Sequence, residues 1–285
     1  MRLRTMTRGD IPGGIRLKEL AGWNQTREDW QRFLQASPNG CFVGEVEGKL
    51  CGTVTTICYE KRFAWIGMVL VDPEHRSKGY GTQLLERAIR HLDELQVPTI
   101  KLDATPQGKP IYEKVGFVSE CELERWTLRR NPIDESKVAD RDLYEPMSSE
   151  LLESILRADR EVFGADRSLL LKDLYEDEPA FTLGNWLEGT VEGYAFGRRG
   201  SFADHLGPWI ARNSGSASRL LEAFLTRSKR DVLVVDCLKA NPFASSLLGS
   251  LGFVYSRPLT RMYRGSNDYP GRRDNLCAVL GPEFG

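Results

Sequence analysis

Arg76, Gly79 and Gly81 stand in the order R-x-x-G-x-G, between an apolar run ending at Val71 and an amphipathic stretch starting at Thr82. Glycines at a strand-to-helix junction let the backbone turn sharply and aim several N–H groups at one point. The helix behind them adds the positive end of its dipole. Such a socket suits a pyrophosphate. A dinucleotide fingerprint needs G-x-G-x-x-G with an acidic residue about 20 positions on, and a P-loop needs G-x-x-x-x-G-K-[ST]. Neither spacing is present.

The elements that must position this loop follow from the pattern. Residues 2–7 read as a strand. Residues 10–36 read as helical, opened by Pro12-Gly13-Gly14 and broken at Gly22-Trp23-Asn24. Cys41–Val46 and Gly52–Cys58 read as strands joined through Glu47-Gly48, and Ala64–Val71 as a buried strand. From Thr82 to Leu95, six apolar residues including Leu84, Leu85, Ala88 and Leu92 share one helical face. A strand over 97–104, a short helix over 109–114 and a turn at Val115-Gly116-Phe117 complete the first half. The polar stretch 129–146 reads as a linker. Beyond it come a helix carrying Leu151, Leu152, Ile155 and Leu156, weak strands at 181–187 and 191–197, a buried strand at 232–238, and further strands at 259–263 and 276–280.

An internal repeat links the halves. A displacement of 136 residues carries Arg76, Gly79 and Gly81 onto Arg212, Gly215 and Ala217. It also carries Leu84-Leu85-Glu86 onto Leu220-Leu221-Glu222, and Gly116-Phe117-Val118 onto Gly252-Phe253-Val254. Two motifs in one ungapped register indicate two domains of one kind.

The loop closely resembles the acyl-CoA loop of the GNAT superfamily of N-acetyltransferases, [RQ]-x-x-G-x-[GA]. Arg212-Asn213-Ser214-Gly215-Ser216-Ala217 fits the same pattern. Tyr112, four residues before Gly116-Phe117, has the spacing of a family tyrosine that lies near the CoA sulfur. The Gly22–Thr26 and Gly281–Gly285 strings add a softer likeness to two-domain members. The resemblance implies an α+β fold of two GNAT-like domains, each a mixed, mostly antiparallel twisted sheet flanked by helices: 1–130 catalytic, 131–146 linker, 147–285 the second domain.

The resemblance also implies roles. Acetyl-CoA would be the acyl donor and a primary amine, preferably of a small molecule, the acceptor, with direct attack in a ternary complex. Val69, Leu70 and Val71, with Met68 before them, would pair with the pantetheine arm along a strand that splays from its neighbour. The N–H groups of Ser77, Lys78, Gly79, Tyr80, Gly81 and Thr82 would hold the pyrophosphate, with Arg76 and Lys78 adding charge. Tyr112 is the candidate acid for the departing thiolate, since phenol and thiol have comparable reference pKa values. Asp103, Glu45 or a water chain are open alternatives for the base. Trp23, Asn24 and Gln25, and Trp65, are candidates for the acceptor pocket. Arg212, Gly215, Ala217 and Asn241 form a candidate second acyl-CoA loop. Where the family often has an asparagine, the first half has Thr105 and keeps Tyr112. The second half has Asn241 but Leu248 in place of the tyrosine, so catalysis is expected in the first half. The rival readings are a non-catalytic acyl-CoA sensor and a protein-lysine acetyltransferase.

Composition narrows the classes. The 285 residues carry 39 basic and 40 acidic side chains, which gives no support for nucleic acid or an anionic membrane as partner. Apolar runs fall short of the roughly 18 residues of a membrane span, and the first ten residues lack a signal-peptide core. A cytoplasmic protein, monomer or homodimer, is expected. Six cysteines without C-x-x-C and three dispersed histidines point to free thiols and no metal site.

Overall fold

The computed structural model describes residues 1–130 and 147–285; the expected linker 131–146 lies outside them. In chain order the elements are β1 (Arg2–Thr5), α1 (Ile11–Leu20), α2 (Arg27–Ala36), β2 (Phe42–Val46), β3 (Lys49–Tyr59), β4 (Phe63–Val71), α3 (Tyr80–Glu94), β5 (Thr99–Ala104), α4 (Lys109–Lys114) and β6 (Val118–Arg129). Then follow α5 (Ser149–Phe163), α6 (Ser168–Asp177), β7 (Leu183–Leu187), β8 (Thr190–Arg199), β9 (Asp204–Ala211), α7 (Ser214–Arg227), β10 (Val232–Leu238), α8 (Ala244–Ser250), β11 (Val254–Gly265) and β12 (Leu276–Ala278).

Local chemistry sets the ends of these elements. The β2–β3 turn places Glu47 and Gly48 at positive φ, as a tight hairpin requires. Helix α2 starts at a Thr26–Asp29 capping box, which satisfies two N–H groups reciprocally. Helix α5 ends on Gly164 in the left-handed region.

The chain forms two compact units. The first takes residues 1–120, 260–269 and 282–285; the second takes 121–259 and 270–281. Residues 121–130, expected with the first domain, therefore belong to the second unit, and two late segments belong to the first. The cause is strand pairing. β6 and β11 are both 12 residues long and lie 136 positions apart. In the first unit, β5 pairs antiparallel with Thr260–Gly265 of β11. In the second, β10 pairs antiparallel with Leu123–Arg129 of β6. Each repeat's edge strand completes the sheet of the other repeat.

In the first unit the order is β1-β2-β3-β4-β5 and then the end of β11. All pairs are antiparallel except β4–β5. Leu84, Leu85, Ala88, Ile89 and Leu92 of α3 cover one face, against Ala64, Ile66, Ile100, Leu102, Ala104 and Met262. By alternation along the strands, Trp65, Lys101, Asp103 and Arg261 lie on the other face. α1 and α2 pack on that side of β3. In the second unit α7 and α8 pack on β9 and β10 through Leu220, Leu221, Phe224 and Leu248.

Strand β9 and helices α6 and α8 have no counterpart in the sequence expectations. A proline in a run of this kind argues against a central strand. Pro208 is accommodated because it falls where the β8–β9 register shifts, between Gly197↔Leu206 and Ala195↔Trp209.

A buried ion pair ties β11 to β5. Arg261 Nε and Nη2 each donate to an Asp103 carboxylate oxygen at 2.9 Å, and the Asp103 side chain is fully buried. Removing one partner strands the other charge. Asp103→Ala is expected to lower unfolding free energy by about 3–5 kcal/mol, measured by urea denaturation.

Candidate active site

The site begins with a defect in β4. Thr53 pairs with Leu70 and Thr55 with Gly67, so Val54 alone faces both Met68 and Val69. This is a bulge. Met68 takes a positive φ of 50°, a conformation that costs a non-glycine residue about 1–2 kcal/mol. Thr53 Oγ1 donates to the Met68 carbonyl at 2.8 Å and fixes it.

The second feature is an open edge. The parallel β4–β5 ladder consists of Ala64↔Ile100 and Trp65↔Lys101. Beyond Trp65 the two strands no longer pair, so the β5-facing edge of β4 from Ile66 to Val71 carries no strand. Val69 and Val71 border the core there, as does Tyr112 of α4.

The loop after β4 is the third. Asp72 closes the strand. Its N–H donates to the Cys51 carbonyl, its Oδ1 accepts from Glu74 N at 3.0 Å and its Oδ2 from Arg16 Nη1 at 2.6 Å. Burial alone would raise its pKa, but Arg16 and the Glu74 N–H outweigh burial and hold it below the ordinary carboxylate value. Ser77 and Gly79 both adopt positive φ, and Gly79 is the N-cap of α3 with no side-chain cap. None of the N–H groups of 77–82 has a partner among the described residues. They lie at the positive end of α3, a ready site for an anion with several oxygens. The Arg76 and Lys78 side chains are exposed and fold back on the loop, bonding the Val71 and Glu74 carbonyls at 3.2 Å.

Tyr112 is half-buried, edge-on to Phe117 with ring centroids 6.1 Å apart. A Cβ at Gly108 would lie 2.8 Å from its ring, so glycine there admits the phenol. Thr105 serves the turn before α4, its Oγ1 accepting from Gly108 N at 3.2 Å. Burial pushes the Tyr112 phenol up to about 12.

The candidate bases are both committed elsewhere. Asp103 is gripped by Arg261. Glu45 accepts from Arg4 Nη2 at 2.6 Å and Nε at 2.9 Å. Both carboxylates are thereby held by an arginine of a neighbouring element.

On the face opposite α3, Asn24 and Gln25 are buried and Trp23 is half-buried. The Gln25 Oε1 has no hydrogen-bond partner. Trp65 is buried and donates Nε1–H to the Pro282 carbonyl at 2.9 Å, with the Arg261 guanidinium 4.5 Å from its ring centroid. Tyr59 donates to the Phe284 carbonyl at 2.7 Å. Phe284 stacks on Phe33 of α2 at 4.6 Å. The segment 282–285 thus lines this face, a role its Gly-Pro-Glu-Phe-Gly string signalled only as a likeness.

The second unit has the same parts in another state. The run between β9 and α7 is Arg212-Asn213, whereas residues 72–79 separate β4 from α3. Asn213 is the N-cap of α7 and its Oδ1 accepts from Ser216 N at 2.8 Å. Gly215 and Arg212 are exposed, and Ala217 is a core residue. Arg212 borders a shallow cleft with Glu161, Glu192 and Arg272. β9 and β10 pair in parallel at 204–206 and 233–235. Past that point β12 enters between them, pairing with Ile210 and Trp209 on one side and Cys237 on the other. Asn241 is buried and caps α8, its Oδ1 accepting from Phe243 and Ala244 and its Nδ2 donating to the Leu276 carbonyl. Leu248 lies in the core.

Comparison with known proteins identifies the fold. Residues 15–117 match the Acetyltransferase (GNAT) family and residues 155–278 match an Acetyltransferase (GNAT) domain. The chain carries two GNAT domains, belongs to that superfamily and is an acetyltransferase. It is 27% identical to a holothin acyltransferase of a Pseudoalteromonas strain, over 92% of this chain and 87% of that one. It is 26% identical to an uncharacterized N-acetyltransferase of Bacillus subtilis, over 85% and 84%. Among solved structures, a putative acetyltransferase from Pyrococcus horikoshii superposes with a TM-score of 0.79 at 23% identity, covering 100% of this chain and 95% of that one. A tandem GNAT protein from the clavulanic acid biosynthesis pathway gives 0.64 at 12%, covering 93% and 98%. Among the described residues, no helix is long and apolar enough to cross a membrane, and no cluster of His, Cys, Asp and Glu could hold a metal ion.

Gly67 is the tightest point of the site. A Cβ there would meet the Glu283 carbonyl oxygen at 2.7 Å and its Cα at 3.1 Å. Gly67→Ala is expected to displace segment 282–285 and cost about 1–3 kcal/mol. Thermal unfolding checks the stability, and loss of the Trp65 fluorescence environment checks the displacement.

Proposed function

We propose that the first unit binds acetyl-CoA and transfers its acetyl group directly to a primary amine of a small molecule. The observation that carries this reading is the conjunction of an unpaired β4 edge with free N–H groups at the start of α3. An extended, amide-bearing pantetheine arm can take the place of a strand on Met68–Val71. The pyrophosphate fits the N–H groups of Ser77 to Thr82, with Arg76 and Lys78 as counter-charges at the same loop. The small-molecule preference is supported by the relative named holothin acyltransferase, similar along most of both chains.

In this mechanism orientation supplies much of the barrier reduction. The neutral amine attacks the thioester carbon, the C–S bond breaks, the thiolate takes a proton from Tyr112, and the proton that the acylated nitrogen sheds to water restores the phenol. A phenol near 12 stays protonated throughout the working range, but it is a weaker acid than an aqueous thiol. Transfer is matched only where the thiolate forms in the same apolar surroundings, which raise its proton affinity too. The second unit acts as scaffold. β12 occupies the gap that acyl-CoA would need, Asn213 already satisfies the helix start, and Asn241 is spent on α8.

Calorimetric titration with acetyl-CoA is expected to give one site per chain. Two sites would contradict the scaffold role of the second unit, and no binding at millimolar ligand would overturn the reading. Gly79→Ala, forced to hold φ near +75°, should weaken that binding about tenfold, in line with the roughly 1–2 kcal/mol cost of a left-handed alanine.

Tyr112→Phe should slow thiol release at least about tenfold while acetyl-CoA affinity stays unchanged. The acid is competent below its folded-state pKa, so no fall in rate from Tyr112 ionisation is expected up to pH 10. Unaltered turnover in Tyr112→Phe would place the acid elsewhere.

A further inference from the structure

We propose that Arg16 of α1 is a positioning residue for acetyl-CoA: through Asp72 it sets the turn that brings the N–H groups of 77–82 to the pyrophosphate. This rests on the acetyl-CoA reading above. Arg16 Nη1 donates to Asp72 Oδ2 at 2.6 Å, and Nη2 donates to the Leu50 carbonyl at 2.9 Å. One guanidinium thus spans the start of β3 and the first residue past β4. Its rigid fork of donors suits such a two-point bridge better than an ammonium would.

The placing of Arg16 follows from α1. Gly13 precedes it by three residues, so the two share a helix face. A Cβ at Gly13 would lie 3.0 Å from Leu50 Cδ1. α1 therefore lies close on β3 at this point, and the Arg16 side chain arrives beside the Leu50 carbonyl.

The carboxylate that Arg16 holds governs the loop. Asp72 N donates to the Cys51 carbonyl at 2.8 Å and ties the residue to β3. Asp72 Oδ1 accepts from Glu74 N at 3.0 Å, and the Asp72 carbonyl accepts from His75 N at 2.8 Å. These bonds close the turn Pro73–His75, which Asp72 caps. Ser77 and Gly79, both at positive φ, come next. Rotation of the Asp72 carboxylate would release Glu74 N, and the bond from Arg16 opposes it. The loop's own cations are turned to the Val71 and Glu74 carbonyls instead.

The pair is partly open to water, with the Arg16 side chain 48% exposed and that of Asp72 10%. Such pairs add little to global stability. What this one fixes is local, the direction of one carboxylate.

The second unit supplies a comparison. Gly193 pairs with Ala211 as Gly52 pairs with Val71, and Arg212 N donates to the Glu192 carbonyl as Asp72 N does to that of Cys51. Arg212 thus stands where Asp72 stands in the first unit. A guanidinium cannot accept from the N–H groups that follow, and no turn follows: Asn213 opens α7 directly. The carboxylate and its arginine occur together in the unit whose helix start has no side-chain cap.

The test measures acetyl-CoA affinity by calorimetry in the full chain, for wild type, Arg16→Met, Arg16→Lys, Asp72→Ala and the Arg16→Met, Asp72→Ala double variant. Circular dichroism checks the fold of each. Arg16→Met should weaken binding about tenfold, the scale of one charge-assisted hydrogen bond, and Arg16→Lys should weaken it less. In the Asp72→Ala background Arg16→Met should cost no more than about twofold further, because Arg16 acts through that carboxylate. Wild-type affinity in Arg16→Met, or an equal loss from it with and without Asp72, overturns the proposal while leaving acetyl-CoA binding intact. The second of these results would make Arg16 a direct contact of the ligand. If Arg16→Met does not fold, Arg16→Lys in the two Asp72 backgrounds carries the same comparison. Wild-type protein that binds no acetyl-CoA overturns the acetyl-transfer reading itself, and this proposal with it.

Discussion

A backbone edge with unpaired N–H and C=O groups cannot be buried without a partner, and the two GNAT domains meet that constraint in different ways. In the first, β4 leaves β5 after Trp65, and the polar edge from Ile66 onward is left for a ligand or water. The Met68 bulge belongs to the same departure, because an extra residue in one strand bends it and increases its twist. In the second, β9 leaves β10 after Leu206, and β12 fills the opening with the chain's own amides. One rule of satisfied hydrogen bonds therefore separates a domain with room for an extended substrate from one closed by its own strand.

The same contrast recurs at the helix starts. Residues 72–79 let the first loop spread around Gly79, whereas Asn213 turns the second directly into α7 and bonds Ser216 N. A capping side chain stabilises a helix by doing what a bound anion would do. The first domain forgoes that stabilisation and holds Ser77, Gly79 and Met68 at positive φ. Such local cost, at the place where a substrate would lie, is a common mark of a functional site.

The sequence was most legible where signals are local. The Arg76–Gly81 loop, the α3 stripe, α4 and the Glu47-Gly48 hairpin can be read from neighbouring residues, and the 136-residue repeat predicts β11 from β6. The repeat was legible only from Arg76 onward, because the shortened run before α7 displaces β9 against β4. The pairing of β5 with β11 was not legible, since two strands of similar pattern can exchange partners without altering any local preference. Asp103 and Glu45 stood out as carboxylates at suitable places, but their partners Arg261 and Arg4 are 158 and 41 residues away in sequence. Glu283 shows the reverse case: a short string far from the loop whose position relative to Gly67 only the fold discloses.

The exchanged strands bear on how the protein is made. Residues 1–120 are synthesised long before 260–269 and 282–285, yet the first unit includes all three. At a pace of about 5–20 residues per second, the exposed edge of β5 waits roughly ten seconds or more on the ribosome for the strand that covers it. During that interval β6, adjacent in sequence and of the same length as β11, is the nearest competitor for the edge. The arrangement thus makes the order of emergence a selection pressure on β6, which must favour β10 over the strand that appears first.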